Sequence, residues 1–323
     1  MIEFLTSPWL GTAAWMWLTF AGLVVLLLVL DLGVLHREQR EIGVRESLLM
    51  SGGYLALGLG FGGWVWHQLG QQAGLEYVTG FLVEKSLALD NVFVIATIFA
   101  AFAVPRAYQH RVLFWGILGV IVLRGVMIGF GAALVASFEW VLFVFAAFLM
   151  VMGAKMFVSD NQPKDPHDSL VYRWLARRIR LTESFHGARF FVRQPAADGR
   201  LAWFATPLFM ALVMVELADV VFAVDSVPAI FSITTNPYIV YTSNIFAILG
   251  LRALYFALAA VVARFGYLKQ ALAALLVFIG GKVFVAEAMG WEKFPAPVSL
   301  AVTAGLLAMG ICWSLWKTRR VEA

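Results

Sequence analysis

Charged side chains lie in the middle of long apolar runs at two places in the sequence. In GFLVEKSLALDNVFV and in MVELADVVFAVDSVPAIF these are Glu84, Lys85, Asp90, Glu216, Asp219 and Asp225. A charge at the centre of a bilayer costs from about 2.5 to more than ~10 kcal/mol, so such residues mark pairing or function. Carboxylates with amide and hydroxyl oxygens suit hard divalent cations such as Mn²⁺, Ca²⁺ or Mg²⁺. The residue types therefore predict a cation site.

Helical spacing indicates how these oxygens would be presented. At about 100° per residue, Glu84 and Asn91 lie on one face two turns apart, with Asp90 about 120° away. The same arrangement recurs over residues 219–226. Two such helices facing each other would gather four residues around a small space: Asp90, Asn91, Asp225 and Ser226. Spacing alone does not separate Mn²⁺ from similar cations.

Basic residues in the same spans balance the acids. Five bases, Lys85, Arg124, Lys155, Arg252 and Lys282, stand against five acids. The two arginines would keep the carboxylates ionised, replace the cation when it is absent, or bind an anionic substrate, and we expect Arg124 to pair with Glu84. A purely structural set of ion pairs is the alternative. Lys155 and Lys282 are expected to snorkel towards the interface.

Composition explains why helices must position these residues inside a membrane. The chain has 323 residues, 62% hydrophobic and only 14% charged, whereas soluble domains have about 25% charged residues. Its one cysteine excludes an intrachain disulfide and a multi-thiolate metal site. The sequence therefore predicts an all-α integral membrane protein.

About 20 apolar residues cross a bilayer as a helix. Nine candidate spans are found, at 12–35, 47–67, 76–103, 111–135, 138–158, 205–231, 238–263, 268–289 and 297–316. With the N-terminus outside, the segments predicted as cytoplasmic hold 18 Lys and Arg residues and the outer segments hold one, Lys293. The positive-inside rule thus favours nine spans, N-out and C-in. The net charge of +4 lies in these loops, which argues against nucleic-acid binding.

One connection, 159–204, is long. Within it SLVYRWLARRIR predicts a basic amphipathic helix on the cytoplasmic leaflet, and FFVRQPAADGRLAWF predicts a hairpin around Asp198 and Gly199. A solvated linker is the alternative interpretation.

Short motifs recur in the same order along the chain. GAKMFV (153–158) matches GGKVFV (280–285), ILG recurs at 117–119 and 248–250, and EKSLALDNV (84–92) aligns with DVVFAVDSV (219–227). The recurring motifs thus predict that spans three to five and spans six to eight are two copies of one unit. A three-helix unit ends on the opposite side from its start, so the copies are inverted, as in many secondary transporters.

We expect a single membrane domain over 1–323. It comprises peripheral helices (12–67), repeat one (76–158), the cytoplasmic loop (159–204), repeat two (205–289) and a ninth helix (297–316). Gly80 and Pro228 predict local breaks in the site helices, whose freed carbonyls would join as ligands.

These motifs, together with LDLGVLHR and NPYIVYTSNIFAILGLRALYF, resemble the TerC family, close to its Alx-type members, over nearly the whole chain. The resemblance implies a bacterial inner-membrane protein of the lysine-exporter superfamily, associated with Mn²⁺ export and historically with tellurite resistance. It also implies that Glu84, Asp90, Glu216, Asp219 and Asp225 are metal ligands, with Asp31 added.

The leading hypothesis is a secondary exporter of a divalent cation, Mn²⁺ first, driven by a proton or Na⁺ gradient, with no permanently bound cofactor. A carrier of tellurium oxyanions or other anions, using Arg124, Arg252 and Lys85, is the second. A non-transporting membrane scaffold is the third. No nucleophile–base set is recognisable, so an enzyme is not expected.

Overall fold

The computed structural model describes residues 5–33, 44–138, 140–158, 170–195, 200–258, 268–291 and 294–321. These residues are mostly helical. The helices are α1 (Ala14–Gly33), α2 (Val44–Leu69), α3 (Gln71–Ala101), α4 (Arg106–Ser137), α5 (Val141–Val158), α6 (Leu170–Arg178), α7 (Pro207–Phe231), α8 (Pro237–Leu249), α9 (Leu251–Leu258), α10 (Leu268–Ala288) and α11 (Ala296–Val321). Two short hairpins, β1 (Pro8–Trp9) with β2 (Thr12–Ala13) and β3 (Phe191–Pro195) with β4 (Leu201–Ala205), complete the described part.

Several helices are long and apolar enough to cross a bilayer. Four stretches, Arg45–Leu69, Arg106–Ser137, Pro207–Phe231 and Pro237–Ala257, meet this standard, with mean hydropathy up to 2.2. Shorter apolar helices cover Ala14–Leu30, Val141–Phe157 and Ala296–Gly310. The chain is therefore a multi-pass membrane protein. Each predicted span overlaps a helix, while the number of crossings and their orientation stay predictions.

The predicted breaks at Gly80 and Pro228 are wrong, because α3 and α7 run through both positions. A glycine inside a helix lowers its stability by only about 1 kcal/mol relative to alanine, so Gly80 does not break α3. Gly80 allows close packing, because a Cβ there would lie 3.2 Å from the Ile230 Cδ1 and Ser243 Oγ atoms. Pro228 sits in the last turn of α7, where Ser232 N–H still donates to its carbonyl at 3.0 Å.

The break lies instead between α8 and α9, at Gly250. The Lys85 ammonium approaches this point and donates to the Ala247 carbonyl at 3.0 Å. A Cβ on Gly250 would be 2.7 Å from Lys85 Nζ and 3.0 Å from Tyr54 Cβ. The absence of a side chain at Gly250 therefore leaves room for Lys85 of α3 and Tyr54 of α2 beside the break.

Helices α5 and α10 pack through two glycines that occupy matching positions in the GAKMFV and GGKVFV motifs. A Cβ on Gly153 would lie 2.7 Å from the Ala273 carbonyl oxygen, and one on Gly280 would collide with the Ala146 carbonyl oxygen. Each contacted carbonyl is seven residues before the partner glycine (273 to 280, and 146 to 153). Such reciprocity is what a twofold contact produces.

Two other helix pairs are also related by exchanging the two repeats. Helix α3 packs on α8, and α4 packs on α7, while α3 and α7 also contact each other. These four helices surround the buried polar residues, and apolar clusters lie beyond them. One cluster contains Val92, Ile95 and Met210. The other contains Ile128, Val227 and Phe231.

The predicted amphipathic helix and hairpin in the long connection are confirmed as α6 and as the antiparallel pair β3–β4. The predicted turn at Asp198 and Gly199 lies outside the described residues. Thr206 is the residue between β4 and α7, and its hydroxyl donates to the Arg189 carbonyl at 2.8 Å. The hairpin is thereby held directly at the start of α7.

Candidate functional site

Arg124, in the middle of α4, is the centre of a buried polar cluster. Its side chain is fully buried, and its guanidinium forms ion pairs with Glu84 of α3 and Asp219 of α7. The Glu84 pair is the one expected from the sequence. Asp219 accepts from two nitrogens, from Nη2 at 3.1 Å and from Nε at 3.4 Å. This two-pronged contact fixes the plane of the guanidinium, as arginine–carboxylate pairs do.

Asn244 of α8 connects the two charges. Its Oδ1 accepts from Arg124 Nη1 at 2.9 Å, and its Nδ2 donates to Glu84 Oε2 at 3.0 Å. The Ser226 hydroxyl of α7 accepts from the same Nη1 at 3.1 Å. Four helices therefore meet on one guanidinium, and these bonds offset part of the cost of burying the charges.

Glu84 and Asp219 occupy matching positions in the two aligned motifs, and the structure places them on two sides of Arg124. With both acids ionised, the carboxylates carry two negative charges against one positive charge on the guanidinium. The three groups together leave one net negative charge in a buried setting. A divalent cation replacing the guanidinium would neutralise both carboxylates.

A small cavity adjoins the cluster between α3, α4, α7 and α9. Its volume is about 20 Å³, enough for one water-sized particle. Its polar lining consists of Asn91, Asp219 and Arg252, and the rest is apolar. Asn91 thus shares a cavity with Arg252, whereas Ser226, its counterpart in the second motif, contacts Arg124.

Glu216 lies one turn before Asp219 and faces α4 at Gly119. A Cβ on Gly119 would overlap the Glu216 carboxylate. The Glu216 Oε2 atom is buried and has no hydrogen-bond partner among the described residues. The absence of a side chain at Gly119 therefore makes the space that this carboxylate occupies.

The lysines behave differently from one another. Lys155 is exposed, in agreement with snorkelling. Snorkelling of Lys282 is wrong: the residue is 5% exposed and donates to the Ser299 hydroxyl of α11 at 3.0 Å. The reason is that α11 supplies a hydroxyl acceptor inside the bundle.

For three of the predicted ligands, the described part of the structure does not include the side chain. The side chains of Asp31, Asp90 and Asp225 lie outside the described part of the structure. Among the residues that are described, no group of three or more His, Cys, Asp or Glu side chains surrounds a common point. Of the predicted acidic ligands, the structure therefore joins Glu84 and Asp219, with Glu216 one turn away.

The sequence interpretation missed Asn244 and Gly119. A signal for Asn244 existed, because the TSN triplet in an apolar span places three adjacent polar residues where burial without a partner is costly. Thr242, Ser243 and Asn244 are indeed all fully buried. Gly119 carries no comparable signal, since its role depends on which residue faces it from another helix.

The helices that form this cluster fall within a known family signature. The family model for the integral membrane protein TerC family matches residues 69–322, which include every residue bonded to Arg124. The chain belongs to the TerC family. Helices α3 to α11 lie entirely within the TerC-family match.

Relatives of this TerC-family chain are similar over almost their entire length. An uncharacterised membrane protein of Myxococcus xanthus is 46% identical over 97% of this chain and 96% of the relative. Another from Rickettsia bellii is 44% identical, over 95% and 99%. Alx of Escherichia coli, named as a candidate membrane-bound redox modulator, is 43% identical over 94% and 95%. No solved structure matches the chain.

Proposed function

We propose that this TerC-family protein is a secondary transporter that exports a divalent cation, with Mn²⁺ as the leading substrate. One observation carries the proposal: Glu84 and Asp219, which match each other in the two motifs, meet on a single buried guanidinium. A cation site shared by two repeats is the expected arrangement in inverted-repeat transporters. Arg124 takes the position of the cation in this conformation.

The donor set supports a hard cation as substrate. Glu84, Asp219, Ser226 and Asn244 offer carboxylate, hydroxyl and amide oxygens, which Mn²⁺ and Mg²⁺ accept as ligands. Asp90, Asn91, Glu216 and Asp225 remain proposed ligands, with Asp31 in a secondary role. Transport would require the guanidinium to leave the carboxylates as the cation arrives. Arg252, Lys85 and Lys282 are proposed as charge partners rather than ligands.

The proposed architecture has nine spans, N-out and C-in, with two inverted three-helix repeats in a bacterial inner membrane. The reciprocal contacts of Gly153 and Gly280 support the inversion. So does the exchange of partners between α3–α8 and α4–α7. The bacterial relatives support the location.

In this orientation, the cavity beside Asp219 lies on the cytoplasmic side of Arg124, next to the apolar cluster that contains Val92, Ile95 and Met210. On the opposite side of Arg124, an apolar layer that includes Ile128, Val227 and Phe231 closes the route. Phe231 packs against Gly131, where an added Cβ would be 2.7 Å from its ring, and also lines an outer cavity of about 180 Å³. Apolar residues thus lie on both sides of Arg124, and export from the cytoplasm is proposed as the direction of transport. A proton or Na⁺ gradient is the proposed energy source.

Other functions have weaker support. An oxyanion carrier would need arginine donors for its substrate, and at Arg124 all three guanidinium nitrogens already donate to protein oxygens. This observation weakens the anion site at Arg124 and does not bear on Arg252. The name of Alx suggests a redox role. In this chain such a role could not use a pair of cysteines from the same chain, because the sequence has one cysteine. A scaffold role and a lysine-exporter kinship stay hypotheses.

Reconstituted transport tests the proposal. Full-length protein in proteoliposomes should move Mn²⁺ down an imposed gradient, and Glu84→Gln or Asp219→Asn should abolish this flux. Asp90→Asn and Asp225→Asn should also reduce it if those residues are ligands. Glu183→Gln, at an exposed position, is the matched control. Full Mn²⁺ flux by a well-folded Glu84→Gln, Asp219→Asn double variant would refute the site, and tellurite flux without Mn²⁺ flux would favour the anion carrier.

A further inference from the structure

The β3–β4 hairpin exposes an apolar face although it belongs to the connection rather than to a span. Phe191, Leu201 and Trp203 are 45%, 70% and 59% exposed. The register pairs Arg193 with Trp203 and Pro195 with Leu201, and directly opposed residues lie on one side of a sheet. We call this side, formed by Phe191, Arg193, Leu201 and Trp203, the hairpin face.

Arg193 is held flat against the hairpin face. Its guanidinium carbon lies 4.8 Å from the centre of the Trp203 ring, a cation–π distance. No described residue accepts a hydrogen bond from Arg193, so its N–H groups remain available to an external acceptor. Arginine binds phosphate groups in a forked geometry, which makes a phosphate headgroup a suitable partner.

The surroundings of the hairpin face are strongly basic. The described residues 170–195 and 200–206 contain seven arginines and one acid, Glu183. In α6 Arg178 lies over the ring of Trp174, 5.6 Å from its centre, and Trp174 is 57% exposed. Basic residues interleaved with exposed tryptophan are typical of segments that lie in the headgroup region of an anionic membrane.

The covalent position of the hairpin brings it to membrane depth. Strand β4 ends at Ala205 and α7 begins at Pro207. With 25 residues, α7 is about 38 Å long at ~1.5 Å per residue, longer than the ~30 Å hydrocarbon core, so its first turn lies among the headgroups. Phe191 contacts Phe209 in that turn, with ring centres 4.5 Å apart.

We propose that the hairpin face binds anionic phospholipid headgroups of the cytoplasmic leaflet, with Leu201 and Trp203 inserted among the lipids and Arg193 on a phosphate. The leaflet assignment rests on the orientation proposed above. The lipid contact itself depends on neither orientation nor transport, so it can fail while Mn²⁺ export holds, and the reverse.

Lipid quenching in nanodiscs tests the contact. Full-length Cys312→Ser protein receives a single cysteine at Leu201, labelled with an environment-sensitive fluorophore. Spin-labelled phospholipids should quench this label, while aqueous iodide should not. A label at Gln194, on the opposite side of β3, is the control and should be insensitive to spin-labelled lipid. Quenching of the Leu201 label by iodide alone, or protection from both quenchers by a second copy or a soluble partner, would overturn the proposal.

The charge preference is tested with the same label. Spin-labelled phosphatidylglycerol should quench more strongly than spin-labelled phosphatidylcholine. Arg193→Gln should reduce the enrichment by about fivefold, since each basic residue near an anionic surface contributes about 1 kcal/mol. Arg193→Lys should retain part of it, because the charge remains while the forked contact with phosphate is lost. Equal quenching by the two lipids in the unsubstituted protein, or no change with Arg193→Gln, would remove the anionic headgroup from the proposal.

Discussion

At the residue scale, one guanidinium forms five hydrogen bonds to three other helices. Such a centre stabilises the bundle, because removing the guanidinium would leave two buried acids without a counter-charge. The two roles proposed for Arg124, structural pairing and substitution for a cation, can be separated by changing it alone and together with its acids.

Arg124→Ala should destabilise the protein by about 3–5 kcal/mol, since it leaves Glu84 and Asp219 buried without their cation. Adding Glu84→Gln should restore much of the lost stability, because one uncompensated buried charge is removed. The measurement is thermal unfolding of purified protein in detergent, with exposed Arg45→Ala as the control. Failure of any acid neutralisation to rescue Arg124→Ala would favour a substrate-binding role for the arginine.

Gly119→Ala should leave folding nearly intact but change transport. The added methyl overlaps the Glu216 carboxylate, the end of a flexible side chain that can move away. If Glu216 is a ligand, Mn²⁺ flux in proteoliposomes should fall while the unfolding temperature changes little. Gly116→Ala, whose methyl would meet only Val215 Cγ1 at 3.5 Å, is the control and should transport normally. Equal flux for the two variants would exclude Glu216 from the site.

At the element scale, α5 and α10 cross at Gly153 and Gly280 with almost no space between backbones. Backbone atoms cannot move aside as the end of a side chain can. An added methyl group should therefore be tolerated less well at Gly153 and Gly280 than at Gly119. The contact also carries the reciprocity expected of two inverted copies.

Gly280→Ala should therefore destabilise by about 1–3 kcal/mol through overpacking against the Ala146 carbonyl. Gly153→Ala should do the same, by symmetry of the contact. The neighbouring Gly281→Ala is the matched control: no atom lies within 4 Å of its added methyl, so it should be neutral or stabilising by up to about 1 kcal/mol. Thermal unfolding in detergent measures all three. Similar losses at Gly280 and Gly281 would contradict the close crossing.

At the scale of the whole molecule, the orientation decides which side the long connection and the hairpin face occupy. In a Cys312→Ser background, single cysteines at Gln71 and Thr235, both exposed, should react with an impermeant thiol reagent added to intact cells. A cysteine at Arg178 in α6 should react only after the membrane is opened. Labelling of the Arg178 position in intact cells would reverse or reject the nine-span, N-out orientation.

The sequence by itself determined the membrane class, the approximate helices and the acidic motifs, because apolar length and intramembrane charge are local properties with large energies. Glu84 and Arg124 could be paired in advance, since opposite charges in hydrocarbon must find each other. The helix break at Gly250, the bridge by Asn244 and the space at Gly119 were decided only by the tertiary structure. Each depends on which residue a different helix presents: the Lys85 ammonium beside Gly250, the Glu84 carboxylate beside Asn244 and the Glu216 carboxylate beside Gly119. Lys282 stays inside the bundle for the same reason, because the Ser299 hydroxyl reaches it from α11.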